Sequence, residues 1–231
     1  MNVMLLAAGR GERLRPLTDK VPKPLVKVGK HRLIEWHLIR LAALGFKRIV
    51  INVSYLGEQV HAFLGNGENY GVEILYSVED DEPLETGGGI ARALPMLGSD
   101  PFLVINSDIL TDFRFDTLRD KPERLMHLVL VSNPLHNPDG DFAIRDGMLK
   151  LSGEPSYTFS GIGVYHPSVF RDHSGRFSVV PLIHHAARRS KACAELHTGL
   201  WLDVGTKDRL LAARDVVERN PRRLLPDENS E

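Results

Sequence analysis

Short apolar runs that alternate with helical patterns constrain the fold of this chain more than any other feature of its sequence. The runs are rich in β-branched residues, as is typical of strands buried on both faces, and cover Lys47–Val53, Val72–Ser77, Phe102–Asn106 and His127–Val131. Helical patterns lie between them, the clearest over Leu33–Leu44. This alternation predicts an α/β fold with a parallel, doubly wound, Rossmann-like sheet, in which ligands bind beyond the carboxyl ends of the strands.

The second half of the chain has a different pattern. Asp141–Ile144 and Met148–Leu151 flank a turn and predict a hairpin, and Thr206–Arg219 predicts a closing helix with Thr206 as its N-cap. We interpret this half as an insertion that completes a mixed sheet, and not as a separate domain. A single domain is therefore predicted over residues 1–219, and the polar segment 220–231 is predicted to be a flexible tail.

Charge and cysteine content exclude several classes of function. The net charge is −1, so neither nucleic acid nor an anionic membrane surface is expected as a partner. Cys193 is the only cysteine, which excludes an intramolecular disulfide and fits a reducing cytosol. No apolar run approaches the ~18 residues of a membrane span, and no signal peptide is apparent. We expect a soluble, cytoplasmic monomer or small homo-oligomer.

The first apolar run passes directly into a loop that is suited to a polyphosphate. Val3–Leu6 is followed by Ala7-Ala8-Gly9-Arg10-Gly11-Glu12-Arg13, and then by Pro22-Lys23-Pro24. Glycines let backbone N–H groups approach an anion, arginines match phosphate oxygens in a planar fork, and lysine supplies a compact charge. No P-loop motif, G-x-x-x-x-G-K-[ST], occurs here, and the Rossmann fingerprint is incomplete after Gly11. A lone G-x-G also fits an ordinary tight turn.

The whole N-terminal pattern resembles the signature of sugar-1-phosphate nucleotidylyltransferases, written L-A-A-G-x-G-x-R-L-x-P-x-T and then P-K-P-L. The resemblance implies a nucleotidyltransferase domain with a nucleotide-binding half over about 1–132 and a sugar-binding half over about 133–219. It implies that Lys23, Arg13 and Asp108 are catalytic, with Lys23 and Arg13 on the phosphates. The nucleotide-binding residues that it implies are Leu6, Ala7, Ala8, Gly9, Gly11, Glu12, Arg13, Lys23, Glu79, Gly87, Gly88 and Asn106.

Two aspartates at strand ends are the candidate metal ligands. Asp108 directly follows the run Phe102–Asn106, and Asp203 stands in Trp201-Leu202-Asp203-Val204-Gly205-Thr206. Taken singly, each is equally compatible with a strand-end cap or a turn. Segments of both kinds supply the two metal carboxylates in the resembling family, so the resemblance implies Mg²⁺ on Asp108 and Asp203.

The segment Glu79–Gly89, which reads E-D-D-E-P-L-E-T-G-G-G, is the candidate base-recognition element. By resemblance it contacts the nucleobase and ribose, with Gly87 and Gly88 against the base and Glu79 or a backbone group at its polar edge. Its L-E-T-G-G-G form looks closest to the branch that uridylylates N-acetylmuramate 1-phosphate. Guanylyl- and thymidylyltransferases more often carry P-L-G-T-A-G, and this departure favours uridine.

Three segments of the second half contain the candidate residues that bind the acceptor, the sugar phosphate. By resemblance, the residues that bind the sugar phosphate are Asp141, Glu154, Ser160, Gly161 and Asp203, although an ordinary turn role explains Asp141 equally well. The lysine of the family's E-K-P motif is missing, because Pro155 follows Glu154 directly. Its phosphate contact is therefore supplied elsewhere or absent.

The resemblance implies transfer of a uridylyl group from UTP to a sugar 1-phosphate, N-acetylmuramic acid 1-phosphate in the first instance, in recycling of cell-wall sugar. The products would be UDP-N-acetylmuramic acid and pyrophosphate. Two alternatives stay open. The first is a mannose- or heptose-1-phosphate guanylyltransferase. The second, from another class, is an inactive nucleotide-sugar-binding regulatory subunit, although such paralogues typically lose the lysine or a metal carboxylate.

Overall fold

The computed structural model describes residues 1–79, 83–121 and 124–225, which group into two compact units. The hairpin unit consists of Met1–Met4, Leu84–Ile105 and Asp116–Gly199. The loop unit consists of Leu5–Pro83, Asn106–Phe115 and Leu200–Glu231. The single domain expected over residues 1–219 stays a prediction.

The elements follow the predicted alternation of strands and helices. The strands are β1 (Val3–Leu6), β2 (Lys27–Val28), β3 (His31–Arg32), β4 (Arg48–Val53), β5 (Glu73–Val78), β6 (Phe102–Asn106), β7 (Ile109–Thr111), β8 (Met126–Val131), β9 (Phe142–Arg145), β10 (Met148–Lys150), β11 (Ser156–Tyr165), β12 (Ala192–His197) and β13 (Trp201–Asp203). The α-helices are α1 (Leu33–Ala43), α2 (Gly57–Leu64), α3 (Glu85–Leu97), α4 (Val180–Arg188) and α5 (Lys207–Arg219). No helix in the described ranges is long and apolar enough to cross a membrane.

The sheet of the hairpin unit is mixed. Its strand order is β6-β11-β8-β12-β10-β9, and the predicted hairpin is β9–β10, which pairs Ile144 with Leu149. Strand β11 runs antiparallel to both β6 and β8, whereas β12 runs parallel to β8. All six residues of β8 are buried, as expected for a strand covered on both faces. The predicted α/β fold with a mixed sheet is confirmed.

A partly buried group of three ionisable side chains ties β8 to β12. The carboxylate of Glu195 on β12 pairs with the ammonium of Lys121 and lies 3.1 Å from Nε2 of His127 on β8. The hydrogen bond from His127 and the charge of Lys121 lower the pKa of Glu195 to about 2. The carboxylate is thus held in its ionised form by two residues that are far from it in the sequence.

The loop unit holds its own core and the parallel pair β4–β5. Its apolar cluster joins residues from the N-terminal segment, from α1 and from α5, with Leu14, Trp36, Val204 and Val217 among its members. The Trp36 indole N–H donates to the Val28 carbonyl at 3.1 Å, and its ring is part of this core. Antiparallel pairs β2–β3 and β7–β13 complete the unit.

The C-terminal helix is capped as its sequence predicts. Thr206 Oγ1 accepts a hydrogen bond from the Arg209 N–H at 3.4 Å, which satisfies one of the unpaired donors of the first turn of α5. The flexible tail was predicted from residue 220, whereas Pro221–Leu224 form a short 3-10 helix, and Leu224 is buried in the apolar cluster. Residues 226–231 of the predicted tail lie outside the described residues.

We expect Glu195→Gln to lower stability above pH 4.5 and to have a smaller effect as the pH falls towards 2. The pKa of Glu195 is below its ordinary 4.5 in the folded chain, so its stabilisation is present above that pH and is lost as the carboxylate protonates. Because the side chain is 28 % exposed, we expect about 1–2 kcal/mol at pH 7. Urea unfolding of both proteins at pH 7 and at pH 3 measures this effect. An equal difference in unfolding free energy between wild type and variant at the two pH values would contradict it.

Candidate functional site

The glycine-rich loop, residues 7–13, is anchored where it leaves β1. The Leu6 carbonyl accepts from both the N–H and the hydroxyl of Ser107, at 3.1 and 2.7 Å. The Ala7 N–H donates to Asn52 Oδ1 at 2.8 Å. Two segments about a hundred residues apart in the chain, the loop and the end of β6, therefore meet in the loop unit.

Gly11 makes the turn of this loop possible. Its φ of 67° lies in the left-handed region, and a Cβ built there would lie 2.9 Å from Thr18 Cγ2 and 3.0 Å from Lys23 Cβ. The Gly11 carbonyl accepts from Thr18 Oγ1 at 2.8 Å and so fixes the turn. Beyond the turn, a 3-10 helix over Glu12–Leu14 places Leu14 in the core and leaves Glu12 and Arg13 exposed. Gly9, by contrast, has open space where a Cβ would stand.

Lys23 is held against Asp108. Pro22 precedes it in extended conformation, and Pro24 and Leu25 continue as a buried 3-10 helix, so the backbone around the lysine has little freedom. Its ammonium pairs with Asp108 Oδ2, and the lysine side chain is only 12 % exposed. A partly desolvated ion pair of this kind persists because each charge would be costly to bury alone.

Strand pairing brings the two predicted metal carboxylates to one end of the β7–β13 ribbon. Asp203 lies opposite Ile109 in the antiparallel register, and the Val204 N–H donates to the Asp108 carbonyl at 2.8 Å. Asp108 and Asp203 therefore occupy neighbouring positions although 95 residues separate them in the chain. The predicted Asn106 ends the strand that leads into this ribbon.

Arg209 is a site residue that the sequence analysis missed. Its guanidinium pairs with Asp203 Oδ2 at 2.5 Å and reaches Gly205. The Arg13 guanidinium also lies beside Gly205, because a Cβ built at Gly205 would be 3.1 Å from Arg13 Nη2. A basic residue in the first turn of a helix opposes the helix dipole, and this unfavourable position was the available signal.

His37 lies beneath the Asp108 segment and stays neutral. The side chain is fully buried, and this burial lowers its pKa to about 4, although a hydrogen bond to the Ile109 backbone and the nearby Asp108 oppose the shift. A neutral imidazole adds no further charge to the site. It anchors the start of β7, the strand that positions Asp108.

The donor atoms at this site fit a hard divalent cation. Two carboxylates at neighbouring backbone positions match Mg²⁺, which proteins usually bind through one or two carboxylates together with substrate phosphates. Within the described ranges, no group of three or more His, Cys, Asp or Glu side chains could hold a metal.

Glu79 has a buried polar partner of its own. It follows β5, its backbone N–H donates to the Val53 carbonyl at 2.8 Å, and its Oε1 accepts from Asn52 Nδ2 at 2.7 Å. The loop unit therefore contains Glu79 together with the predicted residues of the loop, the lysine and both aspartates. Asn52 was not predicted, because its role depends on tertiary pairing.

The other predicted residues lie in the hairpin unit, and two of them have an internal packing reason. The Gly88 N–H donates to the Phe177 carbonyl at 3.1 Å, and a Cβ at Gly88 would collide with the Gly175 carbonyl oxygen. A Cβ at Gly87 would collide with the Phe177 ring. This packing explains both glycines without a ligand, and their predicted contact with a base stays a prediction.

Two of the predicted sugar-binding residues of the hairpin unit, Asp141 and Ser160, are also part of its framework. Asp141 accepts hydrogen bonds from Asn137 Nδ2 at 3.1 Å and from the Phe159 N–H at 2.8 Å. Ser160 is buried, donates to the Val129 carbonyl at 2.6 Å and stands with Gly161 where the β8–β11 register shifts. Glu154 is exposed in the segment before β11. Roles in ligand binding stay predictions for all four.

Comparison with known proteins identifies relatives over nearly the whole chain. Residues 2–136 match the family model of nucleotidyl transferases. The chain is 49 % identical to an N-acetylmuramate alpha-1-phosphate uridylyltransferase of Neisseria meningitidis, over 93 % of this chain and 97 % of that protein. It is 34 % identical to a mannose-1-phosphate guanyltransferase of Yarrowia lipolytica, over 98 % of this chain and 68 % of that protein. A solved structure from Bacillus anthracis, described as a glucose-1-phosphate thymidylyltransferase, shares the fold with a TM-score of 0.84, 22 % identity and 94 % coverage of both chains.

We expect Gly11→Ala to destabilise the protein by about 1–3 kcal/mol, because a Cβ there is strained at positive φ and meets Thr18 and Lys23. The matched control is Gly9→Ala in the same loop, where the added methyl meets no atom within 4 Å and stability should be unchanged. Thermal unfolding of both variants measures the difference. Equal melting temperatures would refute the assigned role of the Gly11 turn.

Proposed function

The chain belongs to the nucleotidyl transferase family, and on that premise we propose that it transfers a uridylyl group from UTP to N-acetylmuramic acid 1-phosphate. The products are UDP-N-acetylmuramic acid and pyrophosphate, in cytoplasmic recycling of cell-wall sugar. The observation that carries the proposal is the 49 % identity to the Neisseria uridylyltransferase over nearly the whole chain. The complete set of Lys23, Asp108 and Asp203 argues against an inactive regulatory subunit.

The reaction requires charge neutralisation more than covalent chemistry from the protein. An oxygen of the sugar 1-phosphate attacks the α-phosphorus of UTP, and the bond from that phosphorus to the bridging oxygen of the β-phosphate breaks, which releases pyrophosphate. The attacking oxygen is already ionised near neutral pH, so no general base is needed. Catalysis then depends on positioning and on cationic groups around the phosphates.

The loop unit supplies those cationic groups. Lys23 pairs with Asp108, and the guanidinium groups of Arg13 and Arg209 meet at Gly205 beside Asp203. We assign Lys23 and Arg13 to the phosphates of UTP, and Arg209 to holding Asp203 in place. In this assignment, Lys23 exchanges its contact with Asp108 for phosphate oxygens when substrate binds.

Asp108 and Asp203 are assigned as the residues that hold Mg²⁺. When bound, the ion supplies Lewis-acid neutralisation of phosphate charge. The acceptor-binding residues are assigned, as the sequence predicts, to Asp141, Glu154, Ser160 and Gly161 of the hairpin unit. Asp141 has in addition the structural role given by its bonds to Asn137 and Phe159.

The second candidate is mannose-1-phosphate guanylyl transfer, which the 34 % identity to the Yarrowia protein favours. A panel of four nucleoside triphosphates against N-acetylmuramate, mannose and glucose 1-phosphates separates the two by release of pyrophosphate. We expect UTP with N-acetylmuramate 1-phosphate to have the highest kcat/KM, by about 100-fold over GTP with any sugar. Higher kcat/KM for GTP with mannose 1-phosphate would decide for the guanylyltransferase.

We expect Asp108→Asn to lower kcat by about 10³-fold at saturating Mg²⁺ while the fold is retained, because one of two metal carboxylates becomes a neutral amide. The matched control is Asp112→Asn, because Asp112 follows the same strand but bonds the Leu200 N–H and Arg223 instead. Binding of Mn²⁺ with UTP, followed by electron paramagnetic resonance, should weaken in the first variant only. Full activity of Asp108→Asn would remove the metal assignment.

A further inference from the structure

The short 3-10 helix that carries Lys23 is held both from within and from outside. Within the turn, the Pro22 carbonyl accepts from the Leu25 N–H at 2.8 Å. The Lys23 carbonyl accepts from the Val26 N–H at 3.0 Å. Leu25 and Val26 are themselves buried, with exposed fractions of only 4 % and 1 %. Their own carbonyl groups therefore need donors from elsewhere in the protein.

Two donors at the start of α1 meet these carbonyl groups. The Leu33 N–H donates to the Val26 carbonyl at 3.0 Å. The Arg32 guanidinium donates through Nη1 to the Leu25 carbonyl at 2.8 Å. The first bond joins two backbone groups, whereas the second depends on the side chain at position 32. Arg32 therefore ties the lysine-bearing turn to α1 by a side-chain bond.

Arg32 is itself fixed from two sides. Its Cζ lies 4.3 Å from the centre of the Phe63 ring on α2, which is a cation–π distance. Its backbone N–H donates to Glu35 Oε2 at 2.7 Å, and Glu35 Oε1 accepts from the Tyr70 hydroxyl at 3.0 Å. Because the guanidinium is fixed by these contacts, its bond holds the Leu25 carbonyl in one place at little further cost in entropy.

Asp108, the partner of Lys23, is tied to the same helix. His37 of α1 forms a hydrogen bond with the Ile109 backbone, and this bond opposes the lowering of the His37 pKa by burial, so the backbone group is the accepting carbonyl. His37 Nε2 has no partner within the described residues, so the donor is Nδ1. The backbone segments of Lys23 and Asp108 are thus both fixed relative to α1.

We propose that Arg32 is a positioning residue for Lys23, which it holds against Asp108 through the carbonyl of Leu25. The proposed function assigns no role to Arg32, so the inference goes beyond it, and the effect on the reaction rests on that function. In this assignment Arg32 acts through the backbone of the turn and not by contact with a phosphate.

Loss of the Arg32 donor should let the turn move. A buried acceptor without a donor is costly, so the turn shifts until the Leu25 carbonyl reaches another donor or water. Lys23 lies two residues away on the same turn and moves with it. A displacement of about 1 Å is enough to weaken charge neutralisation in the transition state, so the loss falls on kcat more than on KM.

The first measurement follows the lysine and needs no substrate. Arg32→Met removes the donor and keeps much of the side-chain volume beside Phe63. We expect acetylation of Lys23, followed by mass spectrometry, to become at least about threefold faster, because the side chain is only 12 % exposed in the wild type. The matched control is Arg214→Met, because the Arg214 guanidinium also donates to a backbone carbonyl, that of Lys27, at 3.2 Å. In that variant Lys23 should be acetylated at the wild-type rate.

The second measurement separates positioning from a general effect on the fold. With UTP and N-acetylmuramate 1-phosphate, we expect Arg32→Met to lower kcat about tenfold and to change the KM for UTP by less than about threefold. In a Lys23→Met background, the same substitution should change kcat by less than about twofold, because no lysine is left to position. A merely structural role would lower kcat by the same factor in both backgrounds.

Two milder variants keep the test decisive if Arg32→Met folds poorly. Arg32→Lys keeps a donor and a charge over Phe63, so we expect it to retain at least about a third of the wild-type kcat. Phe63→Leu leaves the donor but removes the ring that fixes it, and acetylation of Lys23 should become about twofold faster.

The proposal is overturned if Lys23 is acetylated at the wild-type rate in Arg32→Met, or in Phe63→Leu where the first variant does not fold. It is also overturned if Arg32→Met lowers kcat equally with and without Lys23. Failure of the proposed function has a different signature, since the wild-type protein would then not use UTP, whereas acetylation of Lys23 would still be faster in Arg32→Met. The kinetic comparison is then made with the nucleotide and sugar phosphate that the protein does use.

Discussion

The antiparallel pairing of β7 with β13 is the interaction on which the candidate site depends. One backbone hydrogen bond, from the Val204 N–H to the Asp108 carbonyl, holds the ends of two segments that lie far apart in the chain. Backbone groups must be paired when they are buried, so the ribbon cannot shift without leaving donors and acceptors unsatisfied. The positions of Asp108 and Asp203 follow from this register and not from any affinity between their side chains.

Two neighbouring carboxylates would repel each other, and the loop unit compensates each of them with a separate cation. Lys23 approaches Asp108 from a backbone stiffened by Pro22 and Pro24, and Arg209 approaches Asp203 from the first turn of α5. A partly buried ion pair is a weak source of stability, because desolvation offsets much of the attraction. Its effect here is that a cationic group lies beside each carboxylate, which is the arrangement that the proposed function requires.

Local patterns predicted most of the fold, because the alternation of apolar runs and the N-cap at Thr206 are properties of neighbouring residues. They also identified the turn at Gly11 and the strand-end position of Asp108. They missed Arg209 and Asn52, whose partners Asp203 and Ala7 are chosen by tertiary pairing. The sequence analysis placed Gly87 and Gly88 against a base and did not foresee that Phe177 packs on them. No sequence pattern indicates which segment packs on the start of a helix.

The glycine-rich loop is fixed by its anchors before any nucleotide arrives. Ser107 binds the carbonyl of Leu6, Asn52 binds the N–H of Ala7, and Thr18 binds the carbonyl of Gly11. Each anchor lowers the entropy lost when the loop orders around a ligand, so more of the contact energy appears as affinity. Because Asn52 accepts from the Ala7 N–H and also donates to the Glu79 carboxylate, one side chain joins the start of the loop to the end of β5, and any change at Asn52 must disturb both.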